Sequence, residues 1–430
     1  MLGVFGVLVG VRRDPSETME VFEKAIALDG RAAVSSSTTP ALSRQPLTGV
    51  FATVPDPRDR RGVRHRLDTV LALAAVGVLA GCRTLLAIWE HARDLTGGQL
   101  QQLGLPQDRG IPSESTIRRA LAGLDADDLD ARIASWVLTR TGTIDGRRII
   151  AVDGKTMRGA KPKNNNSGDG DDGGGDGGGG VPHLLAALDQ ESGAVVAQQR
   201  VADKTSEIPA LKQLLAPHDL TGAVVTADAL HTQTDTAQWI RDRGADYLLT
   251  VKNNQPSLRA KLKALPWKDV PAVSGVDCSH GRRVRRTIKA VATPDWIEFP
   301  SAAQVLQVRR TRTTTKHQPD GSKKSKRSTE VVYLVCSIPP EQAPPEQVAA
   351  WIQGHWAIEN RVHWVRDVTY DEDRHQLRTG SGPQVMATLR NLAISLIRTI
   401  YDDPATTGIA SANRAMTRRP TKAIKLLTTP

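Results

Sequence analysis

Two acidic residues stand at the ends of apolar runs that are far apart in the chain. Asp153 follows "IIAV" and Asp228 follows "AVVTA". Both runs are typical of buried strands, and ligands bind where such strands end in a sheet flanked by helices. A single acid at a strand end often caps a turn, whereas two from one sheet can hold Mg²⁺, which prefers carboxylate oxygens. The pattern leaves both the capping role and the metal site open.

Helical spacing selects a third acid from the stretch "HWAIENRVHWVRDVTYDEDRHQLR", residues 355–378. One predicted helix face carries residues spaced by three or four, with Glu359 as its only acid: Ile352, His355, Trp356, Glu359, His363 and Arg366. Most of the acids beyond the predicted helix end are expected to face water: Asp367, Asp371, Glu372 and Asp373. Zinc bound by Glu359 and the two histidines is an alternative, but the histidines lie more than two helical turns apart.

The elements around these acids predict an α/β fold. Two apolar runs joined by a turn at Gly193 indicate a hairpin, and strand-like and helix-like segments alternate after it up to residue 251. The order β, β, β, α, β, α, β is typical of a mixed sheet with helices packed on it. Residues 48–143 instead read as helices with basic edges.

Composition divides the chain into five predicted segments. They are a disordered leader (1–47), an all-helical N-terminal domain that binds DNA (48–143), the first part of the α/β core (144–254, with a flexible Gly/Asp-rich insert at 161–180), a β-rich basic insertion (255–344) and the second part of the core with the Glu359 helix (345–430).

The charge balance indicates a polyanionic partner. The chain has 57 Lys+Arg against 46 Asp+Glu, a net charge of +11, so nucleic acid is the first partner to consider, although a basic surface without such a role is the alternative. The 3 cysteines lack the spacing of a zinc finger and give no disulfide framework. We expect no secretory signal, no membrane span and a cytoplasmic protein.

Several motifs in the same order resemble one family. "IAVDGKTMRGA", "VADKTSEIPALKQLL", "VVTADALHTQ", "YLLTVKNNQP" and "HWAIENRVHWVRDVTYDEDRHQLRTG" are similar to the ISAs1 family of bacterial insertion-sequence transposases, within the IS4-like DDE group. "DPRDRRGVRHRL" resembles the N-terminal associated domain of that family. The likeness runs from about Leu47 to the C-terminus and leaves out the leader and the Gly/Asp-rich insert.

This resemblance implies an RNase H-like catalytic core with a β-rich insertion before the last acid. It implies a catalytic and metal-binding triad of Asp153, Asp228 and Glu359 that holds two Mg²⁺ ions, for which Mn²⁺ can substitute. One ion activates water or a DNA 3′-hydroxyl and the other stabilises the leaving oxygen. The implied partners are the terminal inverted repeats of the element and target DNA, bound by a homodimer near the nucleoid.

Further polar positions are candidates for DNA contact. Residues that follow the two strand ends are expected beside the acids, with ordinary loop solvation as the alternative: Lys155, Arg158, Lys252, Asn253 and Asn254. Where the wider group often carries Tyr, Arg, Glu and Lys, this chain has Ile352, His355, Glu359 and Arg366, so Arg366 is expected on phosphate while His355 is a weaker cation. Arg118 or Arg119 could enter a major groove, although no clean helix-turn-helix signature is present.

The sequence is therefore interpreted as a DDE transposase that cleaves element ends and transfers the 3′-hydroxyl into target DNA. The alternatives are an inactive or domesticated DNA-binding derivative and a DDE-type nuclease of DNA repair. The three acids argue against the first alternative, and the second would not need a separate end-binding module.

Overall fold

The structure, a computed structural model, describes residues 45–141, 143, 146–161, 181–201, 207–279, 282–317, 323–403 and 406–430. The predicted leader up to residue 44 and the Gly/Asp-rich insert from residue 162 lie outside these ranges. Within them, no helix combines the length and the apolar character that a membrane span needs.

Six helices of the described chain precede the sheet: α1 (Leu47–Ala52), α2 (Leu67–Leu79), α3 (Leu85–Arg93), α4 (Gly97–Gln102), α5 (Glu114–Ala122) and α6 (Ala126–Leu138). Every residue of α2 except Asp68 is buried, as expected for a helix that is apolar all round. The side chains of Thr84, Thr96, Ser113 and Asp125 accept backbone N–H groups at the starts of α3 to α6. The predicted helical character of this segment is confirmed.

Nine strands of the described chain form one mixed sheet in the order β3-β2-β1-β4-β5-β9-β8-β7-β6. Their bounds are β1 (Ile149–Thr156), β2 (His183–Asp189), β3 (Val195–Val201), β4 (Val224–Ala227), β5 (Asp246–Val251), β6 (Val273–Ser279), β7 (Arg282–Ala292), β8 (Gln304–His317) and β9 (Lys323–Cys336). β1 to β3 are antiparallel, while β4 and β5 run parallel to β1. This arrangement confirms the predicted RNase H-like mixed sheet.

The β-rich insertion continues this sheet instead of forming one of its own. β9 pairs antiparallel with β5, and β8, β7 and β6 follow in antiparallel order. The remaining helices are α7 (Glu207–Leu215), α8 (Thr234–Asp242), α9 (Pro256–Lys263), α10 (Pro345–His355), α11 (Gly382–Thr399), α12 (Ile409–Arg418) and α13 (Pro420–Thr428).

The two faces of the core sheet pack against different helices. On one face, called here the α10 face, β1, β4 and β5 bury Ile149, Val224 and Leu248 against Trp351 and Ile352 of α10. The opposite face packs against α6, α7 and α11, and α11 also contacts α2. Because successive strand residues point to opposite faces, the register of β1 and β4 decides which side chains reach α10.

The long helix predicted from residue 345 onward changes its geometry halfway. α10 begins at Pro345 as predicted, but it ends at His355, and π turns follow at Glu359–His363 and Val365–Thr369. In these turns the backbone N–H groups bond five residues back instead of four, for example from Trp364 to Glu359. The predicted common face is therefore not preserved, because wider turns rotate the later residues away from it.

A buried ionic triad ties the end of this helix to α11. Arg366 Nη2 lies 2.7 Å from Glu372 Oε1, and Arg390 Nη1 lies 2.9 Å from Glu372 Oε2. The three side chains are at most 1% exposed. Burial alone would raise the pKa of Glu372, but the two guanidinium groups lower it to about 2. The prediction that the acids after the helix face water is wrong for Glu372.

A second buried carboxylate, Asp130, joins α6 to the core. Its oxygens accept hydrogen bonds from Thr388 Oγ1 at 2.6 Å, Gln384 Nε2 at 3.0 Å and Gln198 Nε2 at 3.2 Å. Burial raises the pKa of Asp130 to about 7, against the opposing effect of these three donors. Asp130 therefore joins the N-terminal helices to β3 and α11. The folded state is most stable when the carboxyl group of Asp130 is protonated.

Glu372→Gln is expected to lower the free energy of unfolding by about 3 to 5 kcal/mol, because it leaves two buried guanidinium groups without a counter-charge. Urea denaturation measures this loss. Glu341→Gln, at an exposed position, is the control and should stay within about 0.5 kcal/mol of the wild type. A loss for Glu372→Gln no larger than that of the control would contradict the structural role of the triad.

Asp130→Asn is expected to change the pH dependence of stability. Between the ordinary pKa of 3.8 and the raised pKa of about 7, the folded state keeps a proton that the unfolded state has released. The free energy of unfolding of the wild type therefore falls, by up to about 1.4 kcal/mol per pH unit, as the pH rises through this window. Asp130→Asn lacks this titration. The free energy of unfolding of the wild type minus that of the variant, measured by urea denaturation at pH 5, 6 and 7, should therefore decrease as the pH rises. A difference that is constant across these pH values, as expected for the exposed control Asp269→Asn, would refute the assignment.

Candidate active site

Asp153 and Asp228 extend from neighbouring parallel strands onto the same face of the sheet. β1 and β4 pair Val152 with Ala227, so the two acids come directly after a matched row. Asp153 lies two residues beyond Ala151, which packs on the α10 face, and the register gives Asp228 the same orientation. Parallel pairing thus brings together two carboxylates that are 75 residues apart in the sequence.

One oxygen of each carboxylate is held by the backbone. The Gly154 N–H donates to Asp153 Oδ1 at 2.9 Å, and the Leu230 N–H donates to Asp228 Oδ1 at 2.9 Å. Asp228 thereby caps the short 3-10 turn Ala229–His231, so the capping role left open by the sequence is real for this residue. The cap occupies one oxygen of Asp228, while Asp153 Oδ2 lies 3.6 Å from His363 Nδ1 on the helical segment.

Glu359 meets Asp153 through a histidine that lies between them. His363 Nδ1 is 2.9 Å from Glu359 Oε2 and 3.6 Å from Asp153 Oδ2. The His363 side chain is 4% exposed and that of Glu359 is 68% exposed. One ligand atom from each of the three residues lies within 4.8 Å of the other two.

The carboxylates influence one another electrostatically. Burial raises the pKa of Asp153, and the charges of Asp228 and Glu359 act in the same direction, while His363 opposes them. The hydrogen bond from His363 lowers the pKa of Glu359. Three acids held this close repel one another, and a bound cation would relieve that repulsion.

The donor set fits a divalent metal ion. Mg²⁺ and Mn²⁺ bind carboxylate oxygens, and Asp153 and Glu359 offer such oxygens within the reach of one ion. Asp228 lies next to Asp153 on the neighbouring strand β4, so its carboxylate adds to the same acidic surface. The geometry accommodates the metal chemistry expected from the sequence.

Two cations predicted to contact phosphate are engaged inside the protein. Lys155 is 8% exposed, and its Nζ lies 2.7 Å from a carboxylate oxygen of Asp367 and 3.8 Å from Asp373. Arg366 is fully buried against Glu372. These contacts contradict the prediction that Lys155 and Arg366 contact DNA, because desolvated, paired side chains cannot reach a phosphate at the surface. The ion pairs of Lys155 and Arg366 instead hold the segment that follows Glu359 against β1 and α11.

Other predicted DNA contacts lie at the surface near the strand ends. Arg158, Lys252 and Asn253 are exposed, as is Asn254, whose side-chain amide donates to the Ala229 carbonyl. Their contact with DNA stays a prediction.

His355 lies in a pocket that Asp228 and Lys252 also line. Its Nδ1 is 3.0 Å from Thr226 Oγ1. Burial lowers the pKa of His355 to about 4, so the ring is neutral at pH 7 and adds no positive charge beside Asp228. The sequence-based view of His355 as a weak cation agrees with this position.

Arg118 and Arg119 lie on α5 with exposed side chains. Arg118 pairs with Glu114 one turn earlier, and Arg119 Nε donates to the Ser115 carbonyl at 3.3 Å. Surface pairs of this kind are weak and exchange readily for a phosphate. Recognition of DNA ends by these residues stays a prediction.

Trp356 and Trp364, in the segment that carries Glu359, are exposed by 37% and 55% and are therefore not core residues. The Arg310 guanidinium lies 4.5 Å from the centre of the Trp356 ring, so Trp356 contacts β8 of the insertion.

Sequence reasoning missed a buried cluster beneath Asp153. His183 Nε2 lies 2.7 Å from Glu207 Oε1, and His231 Nε2 lies 3.7 Å from Glu207 Oε2. Burial would raise the pKa of Glu207, but the two histidines lower it to about 2. Any side chain at Gly154 would overlap His183 and Glu207, which explains the glycine after Asp153. His231 is buried as well, and nothing in "TSEIPAL" distinguishes Glu207 from an ordinary first-turn acid.

Comparison with known proteins agrees with this geometry. Residues 144–396 match the family model described as "Transposase DDE domain", and residues 48–137 match the model described as "DDE_Tnp_1-associated". "Putative transposase YncI" of Escherichia coli O157:H7 is 30% identical over 370 residues, which cover 84% of this chain and 89% of the relative. "H repeat-associated putative transposase YhhI" of Escherichia coli K12 is 28% identical over 362 residues, covering 80% and 88%.

A solved structure, that of a piggyBac transposase synaptic complex with hairpin DNA, aligns with a TM-score of 0.40 and 10% identity, covering 92% of this chain and 81% of the other. The family match spans most of the chain and includes all three acids of the site. The chain belongs to the DDE transposase family.

Proposed function

We propose that the chain is the transposase of an ISAs1-type insertion sequence, which cleaves DNA at the ends of its element and joins the 3′-hydroxyl to target DNA. The main support is the arrangement of Asp153, Asp228 and Glu359, which lie on one face of the sheet within a match to a transposase DDE domain. We expect the protein to act at the nucleoid, where its substrate is.

In this proposal the three acids hold two divalent cations, Mg²⁺ or Mn²⁺. Asp153, Asp228 and Glu359 would hold the ions, since Asp228 lies beside Asp153 across the sheet and Glu359 approaches Asp153 from the helical segment. When bound, the ions activate water or a 3′-hydroxyl and stabilise the leaving oxygen. The protein then needs no covalent nucleophile of its own, and its main task is to place the phosphate in line.

Exposed groups at the strand ends would position that phosphate. Arg158 follows Asp153 closely, and Lys252 lines the same pocket as Asp228. Asn253 and Asn254 add amide donors at the end of β5. Because His355 is neutral, it would contribute a hydrogen bond rather than a charge to the handling of the cut end.

The DNA would lie along the strands of the insertion. On one face of β7 and β8, Arg283, Arg285 and Arg309 are exposed and have no acidic partner among the described residues. On the opposite face, Arg286 pairs with Asp277 and is already neutralised. The first face therefore has the unbalanced charge that phosphates need, and it is the face of the sheet opposite to the one that carries Asp153 and Asp228.

Recognition of the terminal repeats would fall to the N-terminal helices, with Arg118 and Arg119 as candidates. Because transposition joins two ends of one element, we propose a homodimer on DNA.

The catalytic assignment predicts that Asp153→Asn, Asp228→Asn and Glu359→Gln each abolish metal-dependent cleavage at the element ends. Removing one ligand from a two-ion site should lower the cleavage rate by at least about a thousandfold, since both ions act in the same step. A gel assay with end-labelled repeat DNA measures cleavage, and fluorescence anisotropy measures binding, which should stay within about threefold of the wild type.

Glu346→Gln, an exposed acid in the first turn of α10, is the matched control and should cleave normally. Cleavage by any triad variant at the wild-type rate would refute the assignment. Normal binding by a wild type that does not cleave under any Mg²⁺ or Mn²⁺ condition would instead favour an inactive derivative.

The DNA path predicts a specific change in salt dependence. Arg283→Gln/Arg285→Gln should reduce the slope of log K against log salt by about 2 for duplex DNA, because two phosphate contacts are lost. The charge-neutral control Asp277→Asn/Arg286→Gln removes an ion pair from the same hairpin and should leave the slope unchanged. Equal slopes for the wild type and the Arg283/Arg285 variant would exclude this face as the binding surface.

A further inference from the structure

His363 occupies the position that a metal ligand would need. Its Nδ1 lies 2.9 Å from Glu359 Oε2 and 3.6 Å from Asp153 Oδ2. Neighbouring ligand atoms around an octahedral ion with bonds of about 2.1 Å lie about 3 Å apart. The spacing of these three atoms is therefore close to that of three adjacent ligands of one ion.

The surrounding packing fixes the ring in this place. Ile358 and Val362, in the same helical segment, are buried against Ala151 and Ala186 of the sheet. The small side chains of the two alanines let the helix approach β1 closely, beside Asp153. His363 itself is 3% exposed, so its ring cannot turn into solvent without moving the helix.

In the described part of the chain, no Lys or Arg side chain lies within ion-pair distance of Asp153 or Glu359. Lys155, the nearest basic side chain in sequence to Asp153, is paired with Asp367 and Asp373. The imidazole of His363 is the group that lies between Asp153 and Glu359. A neutral imidazole can either donate one hydrogen bond from Nδ1 or offer that nitrogen's lone pair to a metal.

The far side of the ring does not decide between these two states. His363 Nε2 is buried and has no hydrogen-bond partner among the described residues. Either tautomer leaves that atom unpaired, so the groups around Nδ1 determine which one is populated. Two carboxylates alone favour a proton on Nδ1, and two carboxylates with a divalent cation between them favour the lone pair.

We propose that His363 ligates, through Nδ1, the cation shared by Asp153 and Glu359, so that this ion has a mixed nitrogen and oxygen coordination. The inference rests on the proposed function, because it requires the acids to hold a metal. The ion on the Asp228 side would keep oxygen ligands only. Since Mg²⁺ prefers oxygen whereas imidazole suits transition metals, the site with His363 should favour Mn²⁺ or Co²⁺ over Mg²⁺.

The test measures metal binding to the full chain without DNA cleavage as a readout. Mn²⁺ is titrated into the protein, bound ions are counted by electron paramagnetic resonance, and nitrogen ligation is detected by pulsed measurements of ¹⁴N coupling. Protein labelled with ¹⁵N-histidine must change the coupling pattern if an imidazole is bound. His363→Asn is the informative variant, because the amide of Asn can replace Nδ1 as a hydrogen-bond donor to Glu359 but is no imidazole.

The control is His355→Asn, since His355 is the imidazole that lines the pocket beside Asp228. We expect ¹⁴N coupling in the wild type and in His355→Asn, and its loss in His363→Asn together with at least about a tenfold weaker affinity for one Mn²⁺. Coupling that is absent from the Mn²⁺-bound wild type, or that persists in His363→Asn, would overturn the inference and leave the triad intact. If the wild type binds no Mn²⁺, or if Asp153→Asn and Glu359→Gln bind it normally, the proposed metal site fails as well.

Discussion

The convergence of three carboxylates on one half-buried face of a sheet is the constraint on which the rest of this structure depends. Asp153 and Asp228 reach that face through the parallel pairing of β1 with β4, and Glu359 reaches it from a helix that packs across the same strands. Burial raises the pKa of Asp153, and the charges of Asp228 and Glu359 add to this effect, so holding the ionised acids together opposes folding. Burial of apolar surface on both sides of the sheet must hold them together.

Buried basic side chains near the acids also help to hold this part of the structure together. Lys155 holds Asp367 and Asp373 beside β1, and Arg366 joins Arg390 around the buried Glu372. These pairs fix the segment that follows Glu359, yet none of the cations contacts the triad itself. Among the described residues, His363 is the group that lies between two members of the triad, Asp153 and Glu359.

The continuity of the sheet links the chemistry to the surface proposed for DNA. β9 pairs with β5, so the basic strands of the insertion extend the same hydrogen-bonded sheet that carries Asp153 and Asp228. Arg310 of β8 stacks on Trp356, which stands one helical turn before Glu359, and both line the pocket next to Asp228. Continuous strand pairing therefore fixes the insertion relative to the acids, with Arg310 on the face of the sheet that carries them and Arg283, Arg285 and Arg309 on the opposite face.

The sequence by itself determined the strand ends and the order of elements, and it singled out Asp153, Asp228 and Glu359 as candidates, because apolar runs, turn residues and helical spacing are local patterns that can be read without the fold. It also indicated that His355 is a weak cation. Only the tertiary structure decided that Lys155 and Arg366 are buried, that Glu372 is a core residue, that Trp364 faces outward and that Glu207 lies beneath Gly154. These outcomes depend on partners that are distant in sequence and on π turns that shift the helix face. The spacing of residues along the sequence reveals neither of them.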